Sequence, residues 1–169
     1  MPAYVALLRA VNVGGNTLPM PVLAQMCRAA GFERPRTYIA SGNALFVSPL
    51  REQRVREALV RELTEYFGKP IGVQVRTAAQ LTAVVAANPF PETPPNRTVA
   101  IFLQAPPPVG AIEEVRGRKC ERLACGAREI YVHYPDGIGA SRLVIPAATA
   151  GTARNLNTVG ALAALAAQH

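Results

Sequence analysis

Three short stretches place Asn beside Gly, Ser, Thr and Arg: Arg9-Ala10-Val11-Asn12-Val13-Gly14-Gly15-Asn16, Ser41-Gly42-Asn43, and Thr152-Ala153-Arg154-Asn155-Leu156-Asn157-Thr158. Each falls where a predicted strand ends or a helix begins. Amides, hydroxyls, guanidinium groups and turn backbone N–H groups recognise anions and amides more readily than they transfer protons. The acid–base kit is thin: one Asp (Asp136), two His (His133 and His169) and no Trp.

Gly14 and Gly15 are free to adopt positive φ, so the first stretch can aim N–H groups at a phosphate just ahead of a helix. Its spacing fits neither a P-loop nor GxGxxG. A tight turn, with Asn12 and Asn16 bonded to local backbone, explains the same residues. Ser41 as a nucleophile needs a base beside it, and none is local. It also lacks the strand-turn-helix context of a nucleophile elbow. Ser41 and Asn43 then read as a hydroxyl and an amide held for ligand contact, or as turn formers. In the third stretch Asn155 or Asn157 suits a helix N-cap. Arg154 opposes the helix dipole there, so a carboxylate of the chain or an anionic ligand should hold it.

His133-Tyr134-Pro135-Asp136-Gly137 contains the only internal His and the only Asp. His133 and Asp136, with Ser41, are the catalytic candidates, although Asp136-Gly137 is also a favoured turn dipeptide. Arg116-Gly117-Arg118-Lys119 with Arg122 is the densest basic cluster. It reads as a phosphate-backbone contact with Tyr131 or Tyr134 as a stacking face, or as a solvated loop. One Asp and one internal His do not fill a coordination shell, so no metal is expected. No cofactor is expected either.

These residues must be positioned by a chain of 169 residues, 50% hydrophobic and 17% charged, long enough for one ample core or two small ones. The formal charge of +7 rests on sixteen Arg and two Lys against eleven acidic residues. That balance favours anionic partners, nucleic acid or phosphorylated metabolites, although a GC-rich genome also writes Arg for Lys. Cys27, Cys120 and Cys125 are odd in number and lack metal-ligand spacing, the usage of a reducing compartment. With no membrane-length apolar run and no leader pattern, a soluble cytoplasmic protein is expected.

The element pattern is βαββαβ, then a partial repeat. Tyr4 to Arg9 reads as a strand buried on both faces. A helix is expected from about Pro21 to Ala30, and strands over Arg36 to Ala40 and Ala44 to Val47. Ser48-Pro49 should cap a helix from about Leu50 to Phe67, with Glu57 paired to Arg61 at i, i+4. A strand over Ile71 to Arg76 leads to a capping box, Thr77-Ala78-Ala79-Gln80, and a further helix. Residues 89–95 are a Pro-rich connector between a ferredoxin-like half, 1–88, and a second α+β half, 96–169. In the latter, Val99 to Gln104, Glu121 to Cys125 and Glu129 to Tyr134 read as strands. Val109 to Arg116 and Asp136 to Ser141 read as a short helix and a helical turn, and Thr158 to Ala167 as the closing helix. The fold class is α+β: two related ferredoxin-like halves, mainly antiparallel sheets with helices packed on them.

The same stretches resemble the bacterial DUF1697 family, a domain family of unknown function. The resemblance runs through Tyr4 to Arg9 with Asn12 to Gly15, Arg36 to Ile39 with Ser41 to Asn43, Arg76-Thr77, Asn88 to Phe90, Tyr131 to Gly139, and Thr152 to Asn155 with Asn157-Thr158. It implies an α+β fold and supplies no reaction, cofactor or catalytic residue. The chain departs from the family pattern at Ala10, where Gly is typical, at Ala40 (Gln), Leu156 (Trp) and Arg142 (Lys).

The function expected is binding of an anionic, phosphate-bearing ligand, nucleic acid or nucleotide. Arg9 and Arg154 would supply charge and Asn12, Ser41, Asn43, Asn155 and Asn157 hydrogen bonds, with Gly14 and Gly15 allowing close approach. The alternatives are an enzyme acting on a small phosphorylated or nucleoside substrate, and a protein-interaction module with no small-molecule site.

Overall fold

The computed structural model describes residues 1–169 and divides into two compact units, Met1–Leu81 with Leu162–His169, and Thr82–Ala161. The first contains β1 (Ala3–Leu8), α1 (Met20–Ala29), β2 (Glu33–Thr37), β3 (Asn43–Val47), α2 (Glu52–Phe67), β4 (Val73–Thr77) and the start of α3 (Ala78–Ala86). The second contains β5 (Thr98–Phe102), β6 (Arg122–Cys125), β7 (Glu129–His133), β8 (Thr152–Asn155) and the start of α4 (Leu156–Ala167). Each unit has one four-stranded antiparallel sheet, in the orders β2-β3-β1-β4 and β6-β7-β5-β8. The second order is the first with every strand advanced by four. The protein is α+β, as its sequence pattern predicts.

In the first unit, alternate residues of the central strand, Tyr4, Ala6 and Leu8, join Ala44, Phe46, Val73 and Val75 in one core face. Leu23, Met26 and Cys27 of α1 and Val55, Leu59 and Leu63 of α2 close over it, the helical spacing laying each set along one stripe. Phe32 stacks on Phe46 with ring centroids 4.2 Å apart. Burial within this core pushes the Cys27 thiol up to about 12 and leaves it inert. Gly68, at φ 71, ends α2 with its N–H on the Thr64 carbonyl.

Several boundaries differ from the sequence reading for local reasons. Strand β2 stops at Thr37, because Tyr38 N donates to Asn43 O and closes the loop, and Ile39 turns to φ 51. Helix α2 starts at Glu52 without a side-chain cap, since Ser48 Oγ accepts from Leu50 N two residues away. Glu57 pairs with Arg54 at 3.3 Å and not with Arg61. The expected helix over Val109 to Arg116 is a run of turns. Three prolines precede it, Gly110 and Gly117 sit at φ 84 and 70, and one short segment cannot repay helix nucleation. Between β7 and β8 only two 3-10 turns form, Ile138–Ala140 and Pro146–Ala148. Leu143, Ile145, Ala147 and Ala148 pack from this loop onto Val99, Ile101, Ile130 and Val132. Loops thus cover the second sheet where helices cover the first.

The two units share a strand-to-helix device. In β4, Arg76 lies opposite Val5, is 1% exposed, and its Nη1 donates to the Val75 carbonyl at 3.0 Å. In β8, Arg154 lies opposite Ala100, is 9% exposed, and donates to the Ala153 carbonyl at 2.9 Å. The residue after each Arg caps the helix that follows. Thr77 and Gln80 exchange both bonds of the expected capping box, at 2.8 and 3.2 Å, and Asn155 Oδ1 accepts from Thr158 N at 2.9 Å.

Loop 10–16 and loop 38–42 hold an unusual concentration of left-handed backbone: Ala10, Asn12, Gly14, Asn16, Ile39 and Gly42 all have φ between 44 and 92. Ala10 occupies a conformation that costs an L-residue about 1 kcal/mol. The substitution Ala10→Gly is therefore expected to raise stability by about 0.5–1 kcal/mol in urea unfolding. At Gly42 (φ 92) an added methyl would come within 2.5 Å of Val11 Cγ2. There Gly42→Ala should cost at least about 2 kcal/mol by the same measurement.

Candidate functional site

In the first unit, the Asn residues of the two Gly-containing loops hold the loops together. Asn12 Nδ2 donates to the carbonyls of Leu18 (2.9 Å) and Ala40 (2.8 Å), and its Oδ1 accepts from Leu18 N at 2.7 Å. That occupies its amide on both sides. Asn43 is fully buried and donates to Tyr38 O (2.9 Å) and Ser41 Oγ (3.1 Å). Gly14 and Gly15 are exposed, and Arg9 is exposed with its stem lying over Gly72.

In the second unit, burial lowers Arg154 to about 10, so it stays charged at neutral pH. Asn157 is exposed in the first turn of α4, and Asn155 is the cap. His133 is buried and its Nδ1 lies 3.1 Å from Thr98 Oγ1. Thr93 Oγ1 donates to the Phe90 carbonyl at 2.7 Å and also lies 2.8 Å from Thr98 Oγ1. A carbonyl only accepts, so the Thr93 proton goes there and the Thr98 proton goes to Thr93. Thr98 therefore accepts from His133, which fixes the proton on Nδ1. Asp136 is bonded elsewhere, receiving the Cys120 thiol at 3.4 Å. His133 and Asp136 thus have different partners. Tyr131 offers no stacking face: it is buried and its hydroxyl donates to the Val84 carbonyl at 2.7 Å.

The second unit holds a cleft of about 620 Å³ between segments 117–121 and 134–142. Its walls are joined outside the named strands. Arg116 and Val144 exchange both backbone bonds, at 2.9 and 2.7 Å, and Gly117 packs so tightly that a side chain there would collide with the Arg142 carbonyl. Glu121 ties the segments together. Its carboxylate accepts from the Ser141 hydroxyl at 2.5 Å and from Lys119 N at 2.6 Å. These bonds, Ser141's foremost, hold its carboxyl down at about 2. Asp136 in turn raises the Cys120 thiol, so Cys120 stays protonated and is a poor nucleophile.

The basic cluster divides by its partners. Arg122 pairs with Glu92 at 2.6 Å and lies over the Phe90 ring, 4.5 Å from its centroid. Arg118 donates to the Glu121 carbonyl at 2.9 Å. The side chains of Lys119 and Arg142, both exposed and both lining the cleft, have no partner within the chain. Tyr134 forms a buried wall, and no hydrogen bond of the chain engages its hydroxyl. Burial raises that phenol first, and the Glu121 charge adds to it. The sequence showed Arg116 to Arg122 and Tyr134 separately. What joins them to Arg142 is the Arg116–Val144 bridge, which no periodicity announces.

Sheet order defines the class: an α+β protein of two units that share the ferredoxin-like strand order, with the full βαββαβ element sequence in the first. The chain belongs to the family described as protein of unknown function (DUF1697), whose model matches residues 1–131. A solved structure of a conserved bacterial protein from Streptococcus pneumoniae is similar to it, with a TM-score of 0.82 and 22% identity over 99% of each chain. That likeness shows the fold. No curated protein matches. No helix is long and apolar enough to cross a membrane, and no group of three or more His, Cys, Asp or Glu could hold a metal ion.

The depressed Glu121 carboxyl gives a signed pH prediction. A lowered value in the folded state contributes stability that is complete above the ordinary 4.5 and lost as pH falls through about 2. Thermal melts of wild type and Glu121→Gln should differ most above pH 5 and converge as pH approaches 2. A constant difference across that range would mean that Glu121 does not hold the loops through its charge.

Proposed function

We propose that the second unit binds a small phosphate-bearing anion in the cleft bounded by Lys119, Tyr134 and Arg142. One observation carries this reading. The Glu121 carboxylate is bonded within the protein to Ser141 and Lys119 N and Asp136 accepts the Cys120 thiol, whereas neither cation of the cleft has a partner. The formal charges balance, but the unpartnered charged side chains are the two cations. Charged donors without partners suit phosphate oxygens. A concavity of about 620 Å³ has the size of a small-ligand site and favours a phosphate ester over a polymer. The three free thiols accord with the cytoplasmic location expected from the sequence.

None of the residues expected to bind in the first unit lines this cleft, and the Asn12 and Asn43 amides brace backbone instead. Catalysis has less support. The Cys120 thiol is held protonated, and His133 presents Nδ1 to Thr98.

Isothermal titration with ribose 5-phosphate at low salt tests the proposal. Wild type should bind, with affinity falling as salt rises. Lys119→Ala and Arg142→Ala should each weaken binding about tenfold, the effect of one charged hydrogen bond. Both side chains are exposed, so neither substitution threatens the fold. Absence of binding by wild type, or unchanged affinity in both variants, would refute the site.

A further inference from the structure

Beside the cleft lies a smaller concavity of about 220 Å³, and Tyr134 is a wall of both. Between Tyr134 and Arg142 the chain runs between the two: Pro135, Asp136 and Gly137 face the cleft, and Ile138 faces the smaller space. The chemistry of the smaller space differs. Val99, Ile138 and Tyr134 give it apolar surface, and Ile138 is 61% exposed, a large aliphatic group left in contact with water.

Its polar groups are two carboxamides and Arg97, and their commitments are unequal. Arg97 donates to the Pro135 carbonyl. Asn155 accepts from Thr158 N through Oδ1, which fixes the orientation of the amide and turns Nδ2 away from the helix. No group of the chain accepts from that Nδ2, and the Asn96 side chain has no partner at all. Asn155 thus presents a fixed donor, and Asn96 a rotatable donor and acceptor. An apolar slot with convergent amides suits a flat heterocycle with ring nitrogens or carbonyls at its edge, as carboxamides pair with base edges elsewhere. A sugar or a phosphate alone would leave the apolar walls unused.

We infer that the two concavities are subsites of one ligand, a nucleotide, with its phosphate at Lys119 and Arg142 and its base against Tyr134, Ile138 and Asn155. This rests on the anion-binding reading of the cleft. Tyr134 lines both concavities and so sits where the sugar passes. Asn155 therefore has two roles: its oxygen caps α4 and its nitrogen reads the base.

The dual role permits a clean test with Asn155→Ser. Serine caps about as well as asparagine, so α4 keeps its start, but the Nδ2 amide is removed and the shorter hydroxyl does not reach as far into the slot. Adenosine, guanosine, cytidine and uridine 5′-monophosphates are titrated beside ribose 5-phosphate against wild type and variant. In wild type at least one nucleotide should bind about tenfold tighter than ribose 5-phosphate. In Asn155→Ser that advantage should fall about fivefold, the loss of one hydrogen bond, with ribose 5-phosphate affinity and thermal melt unchanged. If no nucleotide outbinds ribose 5-phosphate, or if the variant keeps the full advantage, the base subsite is refuted while the anion site stands. An equal loss for both ligand types would overturn the inference by making Asn155 a structural residue only. If neither ligand type binds wild type, the anion site fails and the inference fails with it.

Discussion

Each sheet depends on a central strand hydrogen-bonded on both edges and buried on both faces. Every residue of β1 from Tyr4 to Leu8 is buried, and so is every residue of β5. Such a strand has no solvent side, so it accepts only apolar or internally bonded side chains. It also sets the register of its neighbours, including the outer strands β4 and β8 that deliver the chain into α3 and α4. Arg76 and Arg154 sit two residues before those helices, opposite Val5 and Ala100. Burying a guanidinium is costly. In both strands it retains a bond to the carbonyl just before it, so the same arrangement serves in two places.

The units then diverge in how they cover their sheets. Helices α1 and α2 seal the first core with Leu, Met and Val at helical spacing. The second core is sealed by Leu143, Ile145, Ala147 and Ala148 from a loop, and a loop must find partners for its backbone groups one at a time. Arg116 and Val144 pair as an isolated bridge, and Glu121 takes a backbone N–H and a hydroxyl. These ties leave a concavity between segments 117–121 and 134–142. They also commit the Glu121 carboxylate, one of the two acidic groups that line the cleft with Lys119 and Arg142. The electrostatics of the cleft thus follow from how its loops are fastened.

The sequence revealed the fold wherever a residue pattern repeats at a fixed interval. The buried run at Tyr4 to Leu8, the Val55-Leu59-Leu63 stripe and the Thr77–Gln80 box each carry a local signal, and each is where it was expected. Legibility ended where non-local pairing decides. Tyr38 and Ile39 read as strand, yet the bond from Tyr38 N to Asn43 O makes them a loop. The run from Val109 to Arg116 read as helix, yet prolines and positive-φ glycines on either side left it as turns. At the candidate site the difficulty was of the same kind. Asn12 and Asn43 have the right chemistry for a ligand, and only the positions of the Leu18, Ala40 and Tyr38 carbonyls show that their amides are already engaged. Lys119 and Arg142 are unremarkable in sequence and meet across a bridge formed by residues twenty-eight apart.

Covering a sheet with loops also affects how such a protein can change over generations. A helix that seals a core is constrained along its whole length, because each turn contributes to the same stripe. The segment from Tyr134 to Gly151 is anchored at only a few points, and the residues between anchors face solvent or the two concavities. Insertions and replacements there alter what the surface recognises without touching the strands beneath. The cover of the first core is thereby constrained along whole helices, while that of the second is constrained only at its anchors.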